Sequence, residues 1–256
     1  MIKFFRKIRY DLMEKNKLAQ YLKYAIGEII LVVIGILIAI SISAWNIERN
    51  LGKSNEVYLV KLIEELNSNI NRLDYLVFSD GGIGLDSVVK NCLYILPRFS
   101  KGLEKSDYEF LLNNKTYLGS SQLNLNDATY EELLNTGKLY SFGSDSLIKA
   151  VKDYYKRYER EKYYNEMNAN EGVKGNDLFQ RAMMRLDIDY ILNPETFSLH
   201  NHPWVFDKNS KNYFDLQLGI MKYYSNQSQD LKKCIELKED TNKLIEIIEK
   251  ELKEKY

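Results

Sequence analysis

An apolar run near the N-terminus limits what this chain can become. From Gly27 to Trp45 the sequence reads GEIILVVIGILIAISISAW, and Ile29 to Ile40 carries no polar side chain. Ala25 to Trp45 is 21 residues, which as an α-helix reach about 31 Å, close to the hydrocarbon thickness of a bilayer. Glu28 is the one charged side chain in that stretch. It lies a turn from the start, where it can approach headgroups or Lys23. Trp45 marks the far boundary and Tyr21 and Tyr24 the near one, as interfacial aromatics do. A buried soluble helix fits poorly, because such a helix keeps a polar face. A cleaved export signal is the second alternative, and Ser41 and Ser43 could imitate its cleavage site. Its leader would be unusually long, and its apolar run sits at or beyond the usual limit of about 15 residues. The expectation is an uncleaved transmembrane signal anchor over residues 25–45.

Charge sets the orientation. Residues 1–24 carry seven basic groups and two acidic ones. Beyond the run only Arg49 and Lys53 precede the next helical pattern. The positive-inside rule then places the N-terminus in the cytoplasm and residues 46–256 outside it. The leader spaces Phe4, Ile8 and Leu12 by four, with Arg6, Lys7 and Arg9 between them. That suits either an amphipathic helix on an anionic inner surface or a plain topology signal. Residues 46–256 hold 29 basic and 33 acidic groups, so a nucleic acid meets no general attraction there.

Within the run, Gly27, Gly35, Ala39 and Ser43 form a ladder with a step of four, Leu31 filling the missing rung. Glu28 projects close to Gly35 and Ala39, since seven and eleven residues are nearly whole numbers of turns. Small residues let two helix backbones approach closely in lipid, so this face reads as a seam for self-association. The alternative is that small residues are merely common in spans.

The remaining sequence reads as all-α. Leu59, Leu62, Ile63, Leu66, Ile70, Leu73 and Leu76 follow one another by threes and fours, which predicts a helix over 54–77 with one apolar stripe. SDGGIG stops it. Further helices are expected over 85–96, from capping boxes at Ser106–Glu109 and Thr129–Glu132, over 145–168, over 177–186, and at the C-terminus, with a break near Asn226. Gly137 suits the close of the helix that Thr129 opens. Residues 194–212 read as an irregular loop. The resulting picture is a leader (1–24), a span (25–45) and a soluble helical bundle (46–256).

Groups for chemistry are few. His200 and His202 stand two apart in HNHPW, where a metal would need further ligands from elsewhere. Cys92 and Cys234 lie on different expected helices; an oxidising compartment would allow a disulfide between them, and two separate buried thiols are the other reading. No nucleotide-binding glycine loop, serine-nucleophile elbow or zinc-protease motif occurs. Glu64/Glu65 and Glu131/Glu132 are adjacent, so on a helix they diverge. Tyrosines 154, 155, 158, 163 and 164 suit amphipathic packing better than a ligand groove. No cofactor is expected.

Two stretches resemble a known family. YAIGE at Tyr24–Glu28, IGI at Ile34–Ile36 and WN at Trp45–Asn46 are similar to the N-terminal signature of uncharacterised single-pass membrane proteins of Bacteroidota-type bacteria. TYEELLNTGKL (Thr129–Leu139) followed by LIKAVKDYY (Leu147–Tyr155) adds a weaker match. The resemblance implies inner-membrane residence and a domain of unknown function, with no activity attached. The functional expectation is a non-enzymatic, membrane-anchored module that binds an envelope partner or senses a signal, with the bilayer and a second copy as further partners. An envelope assembly scaffold and a tethered periplasmic enzyme are the alternatives.

Overall fold

The computed structural model describes residues 10, 18–79, 83–114 and 122–255, without the side chains of residues 18–21 and 24. The leader's Phe4, Ile8 and Leu12 therefore lie outside the described residues, as do the side chains of Tyr21 and Tyr24. The described residues are helical with no strand. Helix α1 is Leu18–Phe78, α2 Leu85–Ile95, α3 Lys105–Asn113, α4 Ala128–Asn135, α5 Asp145–Leu192 and α6 Lys211–Lys255. Short 3₁₀ turns lie at Leu96–Ser100, Lys138–Tyr140, Leu199–Asn201 and Pro203–Phe206. The chain divides into two compact units, Met1–Glu56 and Val57–Tyr256.

In the first unit, every large apolar side chain from Ile29 to Ile42 is exposed, as are Trp45 and Ile47. Arg49 lies over the Trp45 ring at 5.7 Å. Among the described residues, α1 is the one helix long and apolar enough to cross a membrane by length and composition.

The second unit is organised around an antiparallel hairpin of α5 and α6. Its pairing is fixed by contacts that run in opposite order along the two helices: Ser144 with Glu251, Arg157 with Asp240, Asn165 with Asp230, Glu171 with Lys222. Two hydrophobic cores lie along it. The first joins Leu59, Leu62, Leu66 and Leu73 of α1 to Leu147, Val151, Tyr155 and Tyr158 of α5 and to Leu237, Leu244 and Ile248 of α6. The second joins α2 and α3 to Phe179–Leu186 of α5 and Tyr213–Tyr223 of α6, with Leu199 and Val205 from the connecting turns. Each fully buried leucine contributes about 1.5–3 kcal/mol, so the leucine stripe read from 54–77 is what holds α1 in the first core.

Several expected boundaries move. The segments expected at 145–168 and 177–186 are one helix, because Gly172 and Gly175 are buried within the hairpin instead of ending it. The break expected near Asn226 is absent: its amide donates to the Asn168 carbonyl at 3.3 Å and α6 continues. The first capping box sits two residues earlier than the sequence suggested, with Glu104 as N-cap and Asp107 reaching back to the Glu104 N–H at 2.9 Å. The second does not form. Helix α4 starts at Ala128, and Thr129 and Glu132 lie inside it. Gly137 does close it, at φ 71°, a left-handed conformation natural to glycine.

Candidate functional site

Of the ladder singled out on α1, Gly27, Gly35, Ala39 and Ser43 are exposed, and Glu28 beside it is half-buried. A Cβ on Gly27 or Gly35 would meet nothing within 4 Å. The small-residue face is thus open, with room for another helix against it.

In the second unit the most ordered polar construction is a latch that the sequence did not announce. Residues 122–127 lie outside regular secondary structure, with one tight turn from the Asn124 N–H to the Gln122 carbonyl at 3.0 Å, and Leu123 and Leu125 are buried in the first core. Such a segment needs partners for its backbone, and here side chains of two helices supply them. Arg72 donates to the Gln122 carbonyl at 3.1 Å. Asn165 accepts the Leu123 N–H at 3.0 Å. The Tyr158 hydroxyl accepts the Leu125 N–H and donates to the Leu125 carbonyl, both at 3.1 Å. Asn69 accepts the Asn126 N–H at 2.7 Å and donates to the Asn126 carbonyl at 2.8 Å.

The latch ends on Glu65. This buried acid accepts the Thr129 N–H at 2.6 Å and the Tyr155 hydroxyl, so it caps α4 from another helix. Burial, then the charge of Glu65, pushes the Tyr155 phenol far above its usual range. Tyr130 stacks on Tyr155 at 4.1 Å, and Tyr154 meets it edge-on at 5.0 Å. Glu132 accepts from the Tyr58 hydroxyl at 2.6 Å, and Lys138 donates to that same hydroxyl at 2.9 Å. The TYEELLNTGKL stretch is therefore docked on α1 by hydrogen bonds and on α5 by the Tyr130–Tyr155 stack, with Leu133 and Leu139 filling the first core. Of the tyrosines read as packing residues, Tyr154, Tyr155 and Tyr158 are buried and also hydrogen-bonded, whereas Tyr163 and Tyr164 are exposed.

The remaining candidates separate. Cys92 is in the second core and Cys234 in the first; both are free and buried, and burial lifts each thiol to about 12. The bridge weighed from sequence is not formed, because the hairpin places these thiols in different cores. His202 sits 3.0 Å from Asp189, whose carboxyl this contact and Asn193 hold below the usual range. His200 faces Ser198 and the Phe206 ring instead. Among the described residues no group of three or more His, Cys, Asp or Glu is placed to hold a metal ion. A groove of about 260 Å³ between α5 and α6 is lined by Tyr154, Arg157, Leu244 and Ile247. Its arginine already pairs with Asp240 and with Glu236, the latter at 2.7 Å. What these arrangements provide is cohesion and surface, not a set of converging reactive groups.

A model for a family of unknown function, DUF6090, matches residues 28–183. The chain belongs to the DUF6090 family. That match begins at Glu28, takes in Gly35, Ala39, Ser43 and Trp45, and covers the leucine stripe of α1, the latch and most of α5. The DUF6090 region thus contains the open helix face from Glu28 onward, without Gly27, and every residue of the latch. No curated protein and no solved structure matches the chain.

Glu65 and Asn69 were legible in one respect. They stand on the core-facing side of the α1 stripe, three from Leu62 and Leu66, where a polar residue needs a partner. The alternating QLNLN at 122–126 likewise signals two inward leucines. Neither pattern names its partner.

Proposed function

We propose that this chain is a single-pass protein of the bacterial inner membrane, anchored by residues 25–45 with its N-terminus in the cytoplasm. Residues 46–256 form an extracytoplasmic helical bundle that binds an envelope partner or senses a signal. The observation that carries the reading is the exposure of every large apolar side chain between Ile29 and Ile42 on one continuous helix. In water that surface would aggregate, whereas hydrocarbon accepts it without penalty. The excess of basic residues before the span and their scarcity after it support the orientation.

Self-association runs along Gly27, Gly35, Ala39 and Ser43, with Glu28 at one end. The open space at both glycines supports close approach of a second helix.

The test is a C-terminal reporter active only outside the cytoplasm, with the fusion sized on a gel. Activity at full length supports the reading. Inactivity reverses the topology, and activity from a product shortened by about 45 residues replaces the anchor with a cleaved signal. Crosslinking in native membranes then tests the seam: Gly35→Ile should abolish a dimer band, and an unchanged band removes the seam.

A further inference from the structure

The two cores of the second unit are separated by a layer in which the hairpin buries no apolar side chain. Between Tyr158 and Phe179 the buried positions of α5 are Glu161, Asn165, Gly172 and Gly175. Between Tyr223 and Cys234 those of α6 are Asn226, Gln227 and Asp230. The interruption covers residues 159–178 of α5, about 30 Å, but only residues 224–233 of α6, about 15 Å, since Ile220 and Tyr223 already belong to the second core. The spacing of the buried stripe continues through it; only its chemistry changes.

Polar rungs fill the layer, and a glycine crossing borders it. Lys233 lies 3.8 Å from Glu161. Asn165 and Asn168 each donate to Asp230 at 3.1 Å. Asn226 donates to the Asn168 carbonyl, and Lys222 pairs with Glu171 at 3.1 Å. Just beyond it, beside Ile220 and Tyr223 of the second core, Gly175 and Gly219 touch through their backbones: a Cβ on Gly219 would stand 2.9 Å from the Gly175 carbonyl oxygen.

Such a layer holds its helices differently from a core. Its hydrogen bonds and ion pairs replace bonds to water that the same groups regain when parted, and its charges must be desolvated on closing. A buried leucine has no such competing partner in water. The layer therefore adds little cohesion per turn compared with either core. Burial also raises the Asp230 carboxyl against the donors around it, so an ionised Asp230 is held at some cost. Among the described residues the first core is also the larger, with 22 buried members against 18.

We propose that the polar layer is a joint dividing the second unit into two separately cooperative bodies. The second core, with α3, α2 from Val88 onward and the facing ends of α5 and α6, opens while the first core, which keeps Leu85 at the start of α2, stays closed on α1. This gives the fold a part that can be displaced or ordered by a partner without unfolding the part that holds α1. The inference rests on the second unit alone and holds whichever side of a membrane that unit occupies.

The test is native-state hydrogen exchange on the full-length chain in detergent micelles. Amides in 182–186 and 216–220 should exchange at least tenfold faster than those in 151–158. A denaturant titration follows Trp204, which meets Tyr108 edge-on in the second core, in a Trp45→Phe background that removes the other tryptophan. Its midpoint should fall below the loss of exchange protection in 151–158. Coincident transitions, or a first core that opens before the second, overturn the proposal. In an Asn168→Leu/Asp230→Leu pair the gap should narrow; a gap unchanged in a folded variant also overturns it. Should that variant fail to fold, the unsubstituted chain still decides.

Discussion

Replacing Glu65 by alanine removes the acceptor on which the latch ends. Its two donors, the Thr129 N–H at 2.6 Å and the Tyr155 hydroxyl, lie in or at the edge of the first core. Each donor left without a partner costs about 1–3 kcal/mol, and the one lost methylene adds about 0.8 kcal/mol. The expected destabilisation is about 3–7 kcal/mol. Helix α4 has eight residues, too few to persist alone, so residues 122–135 should lose exchange protection before the rest of the first core. Glu65→Gln keeps one acceptor and turns the other into a donor, for about 1–3 kcal/mol. Tyr155→Phe removes one partner and leaves the cap on Thr129, so combining it with Glu65→Ala should cost less than the sum of the two. The assay is denaturant unfolding of the full-length chain in micelles, read together with exchange at 122–135. A Glu65→Ala variant within about 1 kcal/mol of the parent, with normal protection there, would refute the cross-helix cap.

Other substitutions test other contacts. Gly219→Ala should destabilise by about 1–3 kcal/mol, because its methyl meets backbone that cannot swing aside; Gly137→Ala, with open space but a left-handed φ, should cost only about 1 kcal/mol. Thermal unfolding that ranks them the other way would contradict the tight crossing. Burial works to raise the Glu251 carboxyl, but hydrogen bonds from Lys255 and Ser144 prevail and hold it below the usual range. A depressed acid stabilises above its unfolded pKa and loses that contribution as pH falls through its folded one. Glu251→Gln should therefore cost about 1–2 kcal/mol at neutral pH, with the difference closing under acid; a pH-independent difference would mean that packing alone is at work. Cys92 and Cys234 should resist alkylation until denaturant is added, and a non-reducing gel should show no internal bridge; rapid labelling of the native chain would contradict their burial.

How much was legible depended on whether a signal was local. The α1 stripe, the end of α4 at Gly137 and the start of α5 after Ser144 all follow from spacing or capping chemistry within a few residues. The second capping box failed for a tertiary reason. TYEE has the right local pattern, but the Glu65 carboxyl on another helix reaches the backbone first, and Glu132 is drawn to Tyr58 instead. The breaks expected near Gly172 and Asn226 failed similarly. Glycine and asparagine weaken an isolated helix, yet here glycine permits the backbone crossing and asparagine bonds across it.

By itself the sequence determined an all-helical chain with one exposed apolar segment near its N-terminus and a leucine-striped helix following it. Those properties depend on composition and period, which no packing arrangement alters. Tertiary structure alone decided that two thiols sit in different cores, that an irregular segment is held by side chains of α1 and α5, and that a polar layer divides the hairpin. Each depends on which residues face one another across helices far apart in sequence, and helical period fixes the face of a residue without choosing its partner.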